Sequence, residues 1–165
     1  MDGLEGCIHT TKKSHEAQGI NPEDLNEDSY NVYVVNAASK KGLIRTLESI
    51  EKKLIAKNTD PESVNEAVHA VSEIIRNAQE HSCKFSPGKE VHVSLLATSK
   101  YIIAGVGNKG TPLSNDKAKE LIKNYDPNST SSRGRGFEII KRATDIIYIP
   151  QEEKYSEIII GKILE

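Results

Sequence analysis

The chain has 165 residues, which fits one domain that can bury most of its surface without disulfides or structural metals. Charged residues make up 28% of it and the formal net charge is only −2, so no broad basic field indicates direct binding to nucleic acid. Two cysteines exclude a disulfide framework, and no apolar run approaches the ~20 residues that span a bilayer, so we expect a cytoplasmic protein.

The first 28 residues are predicted to be a mobile acidic tail, because they hold few large apolar side chains and many carboxylates. A single domain is then expected from residue 29 to residue 165. Cys7, His9 and His15 lie in the tail, but no fourth metal ligand stands at a useful spacing, so a metal centre is not predicted there.

Two different periodicities predict the first elements of the domain. Aromatic and β-branched residues dominate from Tyr30 to Val35, which predicts a strand. Leucine and isoleucine then recur at helical spacing between Leu43 and Ile55. A second helix is predicted from Asp60 and Pro61, an N-cap followed by proline at the first helical position, and its apolar stripe continues to Ala78.

The second half of the chain is predicted to add strands, a lid and one more helix. Alternation from Val91 to Leu95, followed by Tyr101 to Ala104, indicates a hairpin. The polar stretch from 111 to 133 is the natural lid, with a short helix near Asp116 to Lys123. A helix from Gly136 to about Thr144 and strands at 146–149 and 156–164 complete the order. This order predicts an α+β two-layer sandwich, a mainly antiparallel sheet with helices on one face.

The second predicted helix carries three polar residues on one flank. Glu73, Asn77 and His81 follow one another at intervals of four, so on a helix they stand ~6 Å apart. The amide oxygen of Asn77 can ligate magnesium without cancelling its charge, and Glu73 could orient or deprotonate an attacking group. The alternative is that this flank is only the solvated side of an amphipathic helix.

Two glycine-punctuated segments follow. Residues 105–110 match the dinucleotide pattern G-x-G-x-x-G, but Thr111 and Pro112 interrupt the helix that a pyrophosphate needs, so that interpretation is rejected. Residues 133–137 read Arg-Gly-Arg-Gly-Phe. If Gly134 to Gly136 opens a helix, its free N–H groups and positive dipole end would cradle an anion, and Arg133 and Arg135 would add charge.

Together these three segments resemble the nucleotide-binding boxes of the gyrase, chaperone, histidine-kinase and MutL ATPase superfamily, whose domain is the Bergerat ATP-binding fold. The resemblance covers residues 30 to 165 and is strongest to the stand-alone serine kinases that act as anti-sigma factors. It implies ATP and Mg²⁺ as cofactors, Glu73 as catalytic base and Asn77 as metal ligand. It also implies that Asn108 and Gly110 meet adenine. The remaining cofactor-binding positions would be His81, Arg133, Gly134, Arg135, Gly136 and Phe137.

The same resemblance implies a partner. The kinase would phosphorylate a serine or threonine of a small antagonist protein, would usually be a homodimer, and would also bind a sigma factor. As an enzyme the chain would be this kinase or a weak ATPase. Two alternatives stay open: a nucleotide-gated interaction module that binds ATP without phosphotransfer, and a scaffold that binds no nucleotide.

Two positions depart from the pattern of the superfamily. Asn108 stands where an aspartate usually accepts the adenine amino group, and Pro112 replaces the second glycine of its box, which stiffens the lid hinge. A neutral amide accepts a weaker hydrogen bond than a carboxylate, and it can flip and donate. From sequence alone we therefore expect weaker adenine binding and poorer discrimination against guanine.

Overall fold

The computed structural model of the chain describes residues 7–13, 29–57, 59–110, 114, 116–117, 120, 132–151 and 154–164. Its elements are β1 (Cys7–Thr10), β2 (Tyr30–Asn36), α1 (Lys40–Ala56), α2 (Pro61–Asn77), β3 (Glu90–Ala97), β4 (Tyr101–Lys109), α3 (Ser132–Ala143), β5 (Ile146–Tyr148) and β6 (Tyr155–Ile163). A π-helical turn, Ala78–Ser82, continues directly from α2. Among these described residues, no helix combines the length and the apolar character needed to cross a membrane.

The six strands form one antiparallel sheet in the order β1-β5-β6-β4-β3-β2. Alternate residues of the strands, such as Val91 and Val93, join the helices in one hydrophobic core. The opposite face of β2 is open, since Val32 and Val34 are more than half exposed. The helices therefore cover a single face, which confirms the predicted α+β two-layer sandwich.

Local capping explains where the first two helices begin. The Ser39 hydroxyl accepts a hydrogen bond from the N–H of Gly42 at 2.8 Å, and the Asp60 carboxylate accepts one from the N–H of Ser63 at 3.0 Å. The bond to Ser63 lowers the pKa of Asp60. Pro61 occupies the first turn of α2, as the sequence predicts.

The core stripe of α2 determines which side chains point away from the core. Its buried residues are Val64, Ala67, Ala70, Val71, Ile74 and Ile75. Burying an isoleucine side chain of this kind stabilises a fold by about 1.5 to 3 kcal/mol, so the rotation of the helix about its axis is strongly fixed. The flank that carries Glu73 and Asn77 is thereby directed towards α3, the helix that packs beside α2.

Part of the predicted acidic tail belongs to the sheet. β1 pairs with β5, and the chain after it is held by Asp145, which is only 8% exposed. The Asp145 carboxylate accepts hydrogen bonds from the Thr11 hydroxyl at 2.7 Å and from the N–H of Ile163 at 2.8 Å. Residues 14–28 lie outside the described part of the chain.

Candidate functional site

A cavity of about 200 Å³ opens between the end of α2, the centre of the sheet and α3. Its walls are mostly apolar, with a few polar groups that converge on it, which is the usual character of a small-molecule site. The lining residues are Ile74, Asn77, Ala78, His81 and Ser82 from α2 and its π-turn, Val106 and Asn108 from β4, Phe137 from α3, Ser156 and Ile158 from β6, and Lys117.

Lys117 comes from the predicted lid. Apart from residue 114, residues 116–117 and residue 120, the stretch from 111 to 131 lies outside the described residues, and this includes Pro112. The predicted lid and its hinge therefore stay predictions. What the structure shows of it is that Lys117 lines the cavity.

The helix that carries the predicted flank changes its geometry within the site. The α-helical part of α2 ends at Asn77, and the π-turn that follows carries His81. The turn is fixed by the buried side chain of Gln79, whose Nε2 donates to the carbonyls of Asn36 at 3.1 Å and Ser39 at 3.2 Å. Such π-turns recur at functional sites. The wider turn interrupts the uniform spacing that the sequence predicts, yet Asn77 and His81 both still line the cavity.

Glu73 lies behind Asn77 and does not line the cavity. Its side chain is 18% exposed, and its Oε1 is 3.6 Å from Nη1 of Arg76, one turn further along the helix. The same carboxylate meets α3, because a Cβ added to Gly136 would lie 3.4 Å from Glu73 Oε2 and 3.5 Å from Asn77 Nδ2. The backbone of α3 at Gly136 therefore packs directly against the Glu73 carboxylate and the Asn77 amide.

The observed bounds of α3 correct its predicted start. The helix begins at Ser132, four residues before Gly136, so Gly136 lies inside the helix. A glycine at this helical position leaves room for Glu73 and Asn77, because a larger side chain would project towards them. Since the free N–H groups of a helix are those of its first turn, the backbone donors for an anion are Ser132 to Gly134. The side chains of residues 133 and 135, predicted to add positive charge, lie outside the described part.

Substitutions at Gly136 are expected to separate helix stability from site integrity. In Gly136→Ala the added Cβ makes ordinary van der Waals contacts, so the alanine should raise the free energy of unfolding by about 0.5 to 1 kcal/mol. In Gly136→Val the branched methyl groups reach further, displace Glu73 or Asn77 and should remove ligand-dependent stabilisation. Urea unfolding of both variants, with and without Mg²⁺ and ATP, checks this. Equal ligand stabilisation in the valine variant and the wild type would contradict it.

The polar group deepest in the sheet side of the cavity is Asn108. It is 2% exposed, and its Nδ2 donates to the backbone carbonyl of Lys109 at 3.0 Å. Gly110 does not line the cavity; its N–H donates to the carbonyl of Lys154 at 3.0 Å. An added Cβ on Gly110, whose φ is +156°, would lie 3.4 Å from Asn108 Nδ2. Gly110 thus leaves room for the Asn108 amide, and its contact with adenine stays a prediction.

Sequence reasoning missed the contribution of β6. Ser156 pairs with Asn108 and Ile158 pairs with Val106, and all four side chains line the cavity. Alternation along β6 could have shown that Ser156 and Ile158 share a face. The register between β4 and β6 depends on pairing across about 50 residues of chain, which no local pattern encodes.

The oxygen donors at the site fit magnesium. Among the described residues, no three histidine, cysteine, aspartate or glutamate side chains gather as a metal cluster. The amide of Asn77 faces the cavity and the carboxylate of Glu73 stands beside it across Gly136. Mg²⁺ takes one or two protein oxygens and keeps waters and phosphate oxygens for its other positions, so Asn77 is a sufficient protein ligand if a phosphate enters.

Comparison with known proteins identifies the family of the domain that holds this cavity. Residues 37–162 match the model of the histidine kinase-like ATPase domain. A search of curated proteins finds no match. Among solved structures, the chain is similar to the RsbU and RsbW domains of Rv1364c from Mycobacterium tuberculosis, with a TM-score of 0.57 and 15% identity. That likeness covers 82% of this chain and 32% of the other, so this chain corresponds to about a third of its length. The family model spans most of the sheet, all three helices and the cavity, and the chain belongs to the histidine kinase-like ATPase family.

Proposed function

We propose that this protein is an ATP-dependent serine/threonine kinase of the anti-sigma type that acts in the cytoplasm, and that Mg²⁺ and ATP occupy the cavity described above. The observation that carries the proposal is the approach of Gly136 to both Glu73 and Asn77, at 3.4 Å and 3.5 Å from the position of an added Cβ. A base and a metal ligand meet against α3 at this point, and the first turn of the same helix has free N–H groups. Together these are the groups that phosphoryl transfer requires.

Each part of the nucleotide has a matching part of the cavity. The adenine ring fits between apolar walls that include Val106, Phe137 and Ile158, with the Asn108 amide at its polar edge. The phosphates extend towards the first turn of α3, whose N–H groups attract anions. Bound Mg²⁺ would neutralise the phosphate oxygens. Asn77 would hold it, and Glu73 would accept the proton of the attacking hydroxyl.

The acceptor in this proposal is a serine or threonine of a small antagonist protein, and the kinase works as a homodimer that also binds a sigma factor. The likeness to a solved RsbW domain supports the fold, and the partner is carried over from the resemblance of the three boxes. Nothing in the composition of the chain favours nucleic acid as the direct partner.

A second function, a nucleotide-gated interaction module without phosphotransfer, is favoured by one observation. The carboxylate of Glu73 is held near Arg76 and lies outside the cavity lining, so it reaches an attacking group only if its side chain moves. In that case ATP would bind, and the bound state alone would recruit a partner.

Thermal unfolding with millimolar Mg²⁺ and ATP, ADP or GTP tests nucleotide binding. A ligand at 100 times its dissociation constant adds ~2.7 kcal/mol, which raises the melting temperature of a domain this size by ~5 to 10 °C. We expect ATP to produce this rise in the wild type and in Asn65→Ala, whose asparagine is exposed on α2. Asn77→Ala should abolish it. No rise with any nucleotide would refute both functions and leave the scaffold interpretation.

A further inference from the structure

The loop between the π-turn and β3 has an unusual backbone. Two successive residues that are not glycine, Lys84 and Phe85, have φ values of +51° and +56°. A bulky residue in this region is an outlier, because its Cβ crowds the following carbonyl oxygen. The conformation does not serve the core, since the Phe85 side chain is 56% exposed. A strained backbone thus holds a large aromatic ring in solvent.

The loop is held firmly at both ends. The N–H of Phe85 donates to the carbonyl of Gln79 at 2.8 Å. The Asn36 side chain donates to the carbonyl of Pro87 at 2.8 Å, and the N–H of Ala37 donates to the carbonyl of Lys89 at 2.9 Å. An exposed aromatic on a fixed backbone loses little conformational freedom when it is covered, which is the property of a binding hot spot.

Exposed lysines lie in this loop and in the segment that is bonded to it. Lys84 and Lys89 are exposed in the loop itself. Gln79 joins the loop to Ser39, and the next two residues, Lys40 and Lys41, are exposed at the start of α1. The first turn of α1 has no acidic residue, so these cations add to the positive end of the helix dipole although that position disfavours them. Lysines therefore outnumber acids in the loop and at the adjoining start of α1.

We propose that Lys40, Lys41, Lys84, Phe85 and Lys89 form a docking surface for an acidic segment of a partner protein, with an apolar side chain of that segment covering Phe85. The charge of the surface selects an acidic partner, and the rigid ring supplies the apolar anchor. Two exposed acids, Glu80 and Glu90, lie in the same segments as the four lysines, so the surface keeps a net positive charge.

The position of the surface relates it to the cavity. His81 and Ser82 line the cavity, and the loop begins at the next residue. A segment docked on Phe85 would therefore stand beside the bound nucleotide. That a protein partner exists is taken from the proposed function. The docking itself can be measured without nucleotide.

Selection from a random dodecapeptide library displayed on phage tests the surface. The full chain would be the target, and Phe85→Asn the counter-target, because asparagine adopts positive φ more readily than phenylalanine and should keep the loop conformation. Ile55→Asn is the matched control: Ile55 is 57% exposed at the other end of α1. We expect enriched peptides to carry net negative charge and large apolar residues. Their affinity should fall at least tenfold for Phe85→Asn and for Lys84→Glu with Lys89→Glu, and stay unchanged for Ile55→Asn.

Two results would overturn the docking surface. One is the absence of any peptide that distinguishes the wild type from Phe85→Asn when both melt at the same temperature. The other is tight binding of a labelled DNA duplex or of anionic phosphatidylserine vesicles that requires the lysines, since nucleic acid or membrane would then be the occupant. Because the selection uses no nucleotide, its failure leaves the thermal shift with ATP intact, and failure of that shift leaves the peptide result intact.

Discussion

Glu73→Gln is expected to reduce transfer of the ATP γ-phosphate by about 10² to 10⁴-fold, the usual contribution of a general base, while the affinity for ATP changes little. Glutamine keeps the shape of the side chain and its contact distance to Gly136. It cannot accept a proton at neutral pH, so only the chemical step should suffer. The ATP affinity should persist because Asn77, not Glu73, lines the cavity.

The measurement is the transfer of the labelled γ-phosphate of ATP under single-turnover conditions. It is measured first as phosphate released by hydrolysis, and then as label on an acceptor protein when one is found. Glu62→Gln is the matched control, since Glu62 is an exposed carboxylate in the first turn of the same helix. Loss of turnover in Glu73→Gln alone supports the kinase. Equal turnover in the two variants would contradict Glu73 as the base, and no turnover in the wild type would favour the nucleotide-gated module.

Much of this site was predictable because its first box is local. The cap at Asp60, the proline after it and the apolar stripe of α2 are encoded within a few turns of chain, and they fix the direction of Glu73 and Asn77. The alternating strands and the helical spacing of α1 were likewise sufficient for the two-layer fold. Interactions between neighbours three or four residues apart decide these features, and a sequence displays such neighbours directly.

The parts that could not be predicted depend on contacts between distant segments. β1 is ordered by pairing with β5 and by the carboxylate of Asp145, far away in sequence. Gly136 meets Glu73 and Asn77 only through the packing of α3 against α2, and Ser156 enters the site only through the register of β6 against β4.

The Asn108 amide illustrates how one such contact alters an expectation. An isolated asparagine could flip and read either adenine or guanine, which is why the sequence predicts poor discrimination. In the structure Nδ2 is engaged with the carbonyl of Lys109 at 3.0 Å, so Oδ1 is the atom left to accept a hydrogen bond from a ligand. Adenine offers an amino group there. Guanine offers an acceptor, and flipping the amide would break the bond to Lys109.

We therefore expect ATP to bind about 100-fold more tightly than GTP, since an unpaired buried acceptor costs ~1 to 3 kcal/mol and ~2.7 kcal/mol corresponds to a factor of 100. Titration calorimetry with both nucleotides on the wild type and Asn108→Leu measures this. Leucine has a similar volume but no acceptor, so it should weaken ATP binding far more than GTP binding and bring the ratio close to one. Equal affinities of the wild type for ATP and GTP would show that the amide rotates freely, and Lys109 would then not be holding it.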